Sequence, residues 1–88
     1  MRVEFRESFV KDLKSVKDKS LLQRVQAVIE AIEKADSLAE LTILKKLKGS
    51  GSYFRVRIGD YRLGLALKSD AVIFVRLLNR KDIYKYFP

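Results

Sequence analysis

Neither cysteine nor histidine occurs in the 88 residues. Without cysteine there is no disulfide framework and no thiolate chemistry, and without histidine as well a zinc site is not expected. No apolar run approaches the ~20 residues of a membrane span. The start, Met1-Arg2-Val3-Glu4-Phe5-Arg6-Glu7, alternates like a strand and lacks the apolar run of a signal peptide. A cytoplasmic protein with no membrane partner and no cofactor is therefore expected. Repeats, linkers and low-complexity tracts are missing too, and the glycines at 49–51 lack the spacing of a phosphate-binding loop. Acidic residues are scarce in one half only. Residues 1–40 hold eight basic and eight acidic side chains, whereas residues 41–88 hold eleven basic and three acidic, so the net +8 belongs to the second half. Such clustering favours a polyanion such as nucleic acid over a uniformly soluble surface.

Nearly half the chain is apolar, enough for one small core, and a single domain over residues 1–88 is expected. Residues 2–6 read as an edge strand. Ser8 is a candidate cap for a first helix carrying Phe9, Leu13 and Val16, and Ser20 for a second. The second helix has the strongest period: Leu21, Leu22, Val25, Val28, Ile29, Ile32 and Ala35 form one stripe. Residues 38–47 read as an irregular or short helical connection, followed by a loop over Lys48 to Ser52. Strands are expected at about 53–58, 61–67 and 71–78, and the tail from Asn79 as at most one helical turn. The fold class is α+β. Two N-terminal helices pack on one face of a small, mainly antiparallel sheet in the order β-α-α-β-β-β.

A two-residue Gly59-Asp60 turn sets the register of the first hairpin. It pairs Ile58 with Tyr61, Arg57 with Arg62, Val56 with Leu63, Arg55 with Gly64 and Phe54 with Leu65. Side chains alternate along a strand, so Phe54, Val56, Ile58, Tyr61, Leu63 and Leu65 form the core face. Tyr53, Arg55, Arg57, Arg62, Gly64 and Ala66 form the other. Like charges opposite each other destabilise a sheet, so Arg57 facing Arg62 needs a reason outside folding. A polyanionic ligand supplies one, because guanidinium groups bind phosphate in bidentate fashion. Small residues at 64 and 66 leave that ligand room. A three-residue loop Lys68-Ser69-Asp70 would put Ile73, Val75 and Leu77 on the core face and Arg76 on the arginine face, avoiding an unpaired buried charge.

The string Lys46-Leu47-Lys48-Gly49 followed by Tyr53-Phe54-Arg55-Val56-Arg57-Ile58-Gly59-Asp60-Tyr61-Arg62-Leu63 resembles the RelE/ParE toxin superfamily. The ending Asn79-Arg80-Lys81-Asp82-Ile83-Tyr84 is similar to its RelE side. The likeness runs through essentially the whole chain. It implies a toxin of a type II toxin-antitoxin pair, neutralised by a cognate antitoxin protein. RelE-type members enter the ribosomal A site and cleave messenger RNA, the 2′-hydroxyl attacking the adjacent phosphate to give a cyclic phosphate and a free 5′-hydroxyl. The resemblance carries catalytic roles onto Arg55, Arg57, Arg62, Arg80 and Tyr84. Lys45, Lys46, Lys48, Arg76 and Lys81 are candidates for steering RNA, and Tyr53 for stacking a base.

In-line transfer needs a base, an acid and cations around the phosphorane. Arginine fits only the last role, because a guanidinium holds its proton too tightly to act as a base. RelE proper carries lysines where this chain has Arg55 and Arg57, so Tyr84 or Lys81 is left to move protons, or charge stabilisation and geometry suffice. Two alternatives stand beside the endoribonuclease: a ParE-like inhibitor of DNA gyrase, and a degenerate toxin that acts by protein binding without cleaving.

Overall fold

The computed structural model describes residues 1–47 and 52–88. The expected loop at Lys48-Gly49-Ser50-Gly51 lies outside the described residues. In chain order the elements are β1 (Arg2–Phe5), α1 (Glu7–Ser15), α2 (Lys19–Lys34) and a 3-10 turn (Leu38–Glu40). There follow β2 (Lys45–Lys46), β3 (Tyr53–Ile58), β4 (Tyr61–Lys68), β5 (Ala71–Asn79) and α3 (Arg80–Tyr86). The five strands lie in the order β1-β5-β4-β3-β2. Only β1 with β5 is parallel; the other pairs are antiparallel. The α+β class holds, with two additions, the two-residue β2 and α3. No described helix is long and apolar enough to cross a membrane.

The main core fills the space between α1, α2 and one sheet face. Phe9, Leu21, Val25 and Ile32 come from the helices, and Val56, Ile58, Leu63, Leu65, Val72, Phe74 and Leu77 from the sheet. The α2 stripe is thus the expected one, and its polar face of Gln23, Arg24, Gln26, Glu30, Glu33 and Lys34 is exposed. Phe5, Phe9 and Phe74 cluster with ring centroids 5.4–5.7 Å apart. Phe74 is completely buried, so truncating it to alanine would cost about 3–5 kcal/mol.

The β3–β4 hairpin has the expected register at every pair, from Ile58 opposite Tyr61 to Tyr53 opposite Ala66. Gly59 sits at φ +58°, the left-handed region that a tight two-residue hairpin demands and glycine enters freely.

Several expectations need correction. Ser20 does not cap α2. The Asp18 carboxylate accepts from the Ser20 and Leu21 N–H groups at 2.9 and 3.3 Å instead, a stronger acceptor placed where the orphan donors point. Ser8 does not cap α1 either; its hydroxyl donates to the Val75 carbonyl at 2.6 Å. The β4–β5 turn has two residues, Ser69 and Asp70, because Lys68 pairs directly with Ala71. The register then shifts: Leu65 faces Phe74 but Gly64 faces Arg76, leaving Val75 bulged. Consequently Val72 and Phe74 point into the core, while Ile73 joins Ala66 and Tyr53 on the opposite face. Beyond Phe74, no strand among the described residues covers the outer side of β5, since β1 pairs with residues 71–74. Helix α1 seals this edge. Ser8 takes the Val75 carbonyl, and the Asp12 carboxylate accepts the Leu77 N–H at 2.9 Å.

Candidate functional site

The sheet face away from α1 and α2 carries the arginines, and α3 lies across part of it. Its rows run Arg57–Arg62–Leu78, Arg55–Gly64–Arg76 and Tyr53–Ala66–Ile73, each residue in register with the next. On the outer side β2 places Lys45 opposite Arg55. Lys45, Arg55, Arg57 and Arg62 then ring an open cleft of about 420 Å³. One wall is the segment Thr42-Ile43-Leu44 and the other is Tyr84 of α3. Among the described residues lining it there is no acidic side chain.

Arg55 Nη1 donates to the Tyr84 hydroxyl oxygen at 3.0 Å, and the guanidinium lies 5.3 Å from the centroid of the tyrosine ring. That bond uses a lone pair of the phenol and leaves its own hydrogen free to be donated elsewhere. Arg62 Nη1 donates to the Gly59 and Tyr61 carbonyls, both at 2.8 Å, which folds the side chain back onto its own turn. Arg57 is exposed beside it. Four cationic side chains around one concave site, two of them held by hydrogen bonds, have the chemistry to bind an anion such as phosphate. Among the described residues no group of three His, Cys, Asp or Glu side chains could hold a metal ion.

The cleft thus brings together Lys45, Arg55, Arg57, Arg62 and Tyr84. The remaining candidates lie elsewhere. Arg80 opens α3 with its N–H on the Asp60 carbonyl at 2.8 Å, and its side chain is exposed outside the cleft lining, as is that of Lys81. Lys46 is exposed and stands opposite Phe54, in register with the core side of the sheet. Tyr53 meets Phe87 edge-on, with centroids 5.5 Å apart, and borders a separate groove beside Arg6 and Lys68. Lys48 lies outside the described residues.

Arg76 reaches the expected face through the bulge and not through a three-residue loop. It is engaged there: Nε and Nη2 donate to the Asp12 carboxylate at 2.8 and 3.1 Å. This hydrogen bond is the main cause of its raised pKa, against a smaller opposing effect of burial. Arg76 therefore ties β5 to α1.

The expectation that Gly64 leaves room for a ligand is also corrected. Gly64 is buried, and the Phe87 ring occupies the space above it. Phe87 and the 42–44 wall are the parts of the site that pattern reading missed. Neither has a local signal, because both reach the cleft by tertiary packing.

A family model described as the ParE toxin of the type II toxin-antitoxin system parDE matches residues 3–84. Toxin RelE3 of Methanocaldococcus jannaschii is 44% identical over 89 residues, covering all of both chains. The chain is also similar to the toxin in the crystal structure of a RelB-RelE antitoxin-toxin complex from Methanococcus jannaschii. That similarity has a TM-score of 0.81 and 41% identity, over 97% of this chain and 99% of the other. The archaeal RelE-RelB complex from Pyrococcus horikoshii OT3 matches with a TM-score of 0.71 and 26% identity, over 90% and 93% of the chains.

Proposed function

The chain belongs to the RelE/ParE toxin family of type II toxin-antitoxin systems, and we propose that it is a ribosome-associated endoribonuclease acting on messenger RNA. The observation that carries this reading is the contact between Arg55 and Tyr84. It sets one proton-carrying hydroxyl at the rim of a cleft whose other charged groups are all cationic.

In the proposed reaction the 2′-oxygen of one nucleotide attacks its own 3′-phosphorus and the P–O5′ bond breaks. The products are a 2′,3′-cyclic phosphate and a 5′-hydroxyl. One proton leaves the 2′-hydroxyl and one must arrive on the departing 5′-oxygen. Arg55, Arg57 and Arg62 take the charge that builds on the equatorial oxygens, and being permanently protonated they do no more than that. Tyr84 and Lys45 are the lining side chains of a type suited to proton transfer, and the free hydrogen of Tyr84, whose oxygen is held by Arg55, supports its role as donor to the 5′-oxygen. Lys45 draws the RNA in electrostatically, with Lys46, Lys48, Arg80 and Lys81 adding to the field and Tyr53 offering a ring for stacking. Arg76 contributes less, since Asp12 already neutralises it.

A cognate antitoxin is part of the same proposal. The archaeal relatives at 41% and 26% identity were solved in complex with RelB. In vitro translation followed by primer extension tests the activity. Truncated message ending in the A-site codon with wild type, and its loss with Arg62→Ala, supports the endoribonuclease. Intact message together with inhibited gyrase supercoiling would transfer the protein to the gyrase-poison reading.

A further inference from the structure

Tyr84 stands on a helix of seven residues, too short to hold its shape unaided. The start of α3 is fixed by the Asn79 side chain, which accepts the Lys81 N–H at 3.0 Å, and by the bond from the Arg80 N–H to Asp60. Its far end is held by Phe87, which is 7% exposed. A Cβ placed on Gly64 would stand 2.7 Å from Cδ1 of that ring and 2.8 Å from Cγ and Cε1, so the ring lies directly on bare β4 backbone. The slot is one residue wide. Gly64 is in register with Arg55 on one side and Arg76 on the other, and the Tyr53 ring closes one end.

Phe87 follows the last residue of α3 in extended conformation, its N–H still donating to the Ile83 carbonyl at 3.0 Å. Tyr84 and Phe87 meet the sheet at neighbouring positions, Tyr84 on Arg55 and Phe87 on Gly64, which pairs with Arg55. With the ring seated in the slot, the rotation of α3 about its axis is set and the Tyr84 hydroxyl falls on Arg55. On the opposite flank the Arg76 guanidinium sits 6.0 Å from the Tyr86 ring. We propose that Phe87 is a positioning residue for Tyr84, docked in a slot that exists because residue 64 has no side chain. The inference rests on the endoribonuclease reading for its effect on rate, but its structural half can be measured without any activity.

The test is a double-mutant cycle on the full chain. Single-turnover cleavage on translating ribosomes is followed as toxin is titrated, and amide hydrogen exchange is followed in α3. Phe87→Ala is expected to lower the maximal rate by about tenfold or more and to move the half-saturating toxin concentration by less than about twofold. Amides of α3 should exchange faster while those of α2 stay protected. Gly64→Ala should do the same, because the added methyl evicts the ring. In the Phe87→Ala background it should change the rate by less than about twofold, because the three atoms nearest the added methyl all belong to the ring that has been removed. Phe87→Ala should likewise add nothing to the loss caused by Tyr84→Phe.

Additive losses, an α3 that stays protected in either single variant, or full cleavage with α3 released would each overturn the proposal. If Gly64→Ala disrupts the central strand, the Phe87→Ala and Tyr84→Phe pair still decides. A wild type that binds ribosomes and never cleaves would sink the functional reading alone, and the exchange cycle would still report on the slot.

Discussion

Arg57 and Arg62 face each other across the β3–β4 hairpin, and the strain between them is relieved by the turn itself. Arg62 turns its Nη1 onto the Gly59 and Tyr61 carbonyls, which draws partial negative charge towards one member of the pair. Arg57 stays exposed. The hairpin therefore tolerates two cations without an acid between them, and both remain at the cleft with donor groups to spare. A sheet face built for stability alone would place an acid or a neutral residue at one of these positions.

Arg62→Ala should abolish growth arrest and message cleavage while leaving the fold intact. The two hydrogen bonds it removes are offset by relief of the repulsion, so unfolding free energy should stay within about 1 kcal/mol of wild type. Growth assays paired with denaturant melts check both halves. Retained toxicity would refute the role of Arg62 as a phosphate-binding cation, and a collapse in stability would show that the arginine mainly braces the turn.

The Asp12–Arg76 pair should behave in the opposite way. Asp12→Ala leaves a half-buried guanidinium without its acid and the Leu77 N–H without its acceptor, and should cost about 2–3 kcal/mol. Arg76→Lys should recover little, because one ammonium cannot reproduce the two-point contact. The folded-state pKa of Arg76 is raised, so its contribution is complete below the unfolded value and lost only as pH rises through the folded one. That window lies at the alkaline extreme. Titration of Arg76 should therefore add no slope to stability near neutral pH, which melts at several pH values would show.

The hairpin was legible because its turn is two residues long with a glycine at φ +58°, and such a turn admits one register. The next pairing was not. Ala71, Val72, Ile73 and Phe74 are all buried, so alternation vanishes there and the bulge at Val75 leaves no trace in the pattern. The same double burial hid α3, whose Ile83, with Phe87 just beyond the helix, covers the second face and stands outside the main core. The arginine row could be read from register alone, and the resemblance to the toxin family named Tyr84. What joins them, Phe87 on Gly64, is a contact between residues 23 positions apart with no local signature.

The antitoxin should be acidic or amphipathic where it touches this chain, and should either cover the arginine cleft or displace residues 79–88. A free surface of net +8 on a domain this small would bind cellular RNA indiscriminately. Exchange footprinting of the complex tests the expectation. Protection is expected over β3 and β4 near the cleft, or loss of protection in α3. A tight complex that alters neither would contradict it.

Tyr84→Phe separates proton transfer from packing. The variant keeps the ring over which Arg55 lies and deletes only the hydroxyl that accepts its hydrogen bond. If the phenol moves a proton in the reaction, cleavage should slow by about 10²–10⁴-fold with RNA or ribosome affinity nearly unchanged. If the ring merely stacks or anchors, this change should be almost silent and Tyr84→Ala should weaken binding instead. Lys81 also carries a proton it could transfer, but its exposed side chain lies outside the cleft lining, so Lys81→Met is expected to keep the rate. A rate lost with Lys81→Met and kept with Tyr84→Phe would reverse the assignment. Full activity in both would leave charge stabilisation and geometry, supplied by Arg55, Arg57 and Arg62 with Lys45 in the same cleft, as the main surviving mechanism.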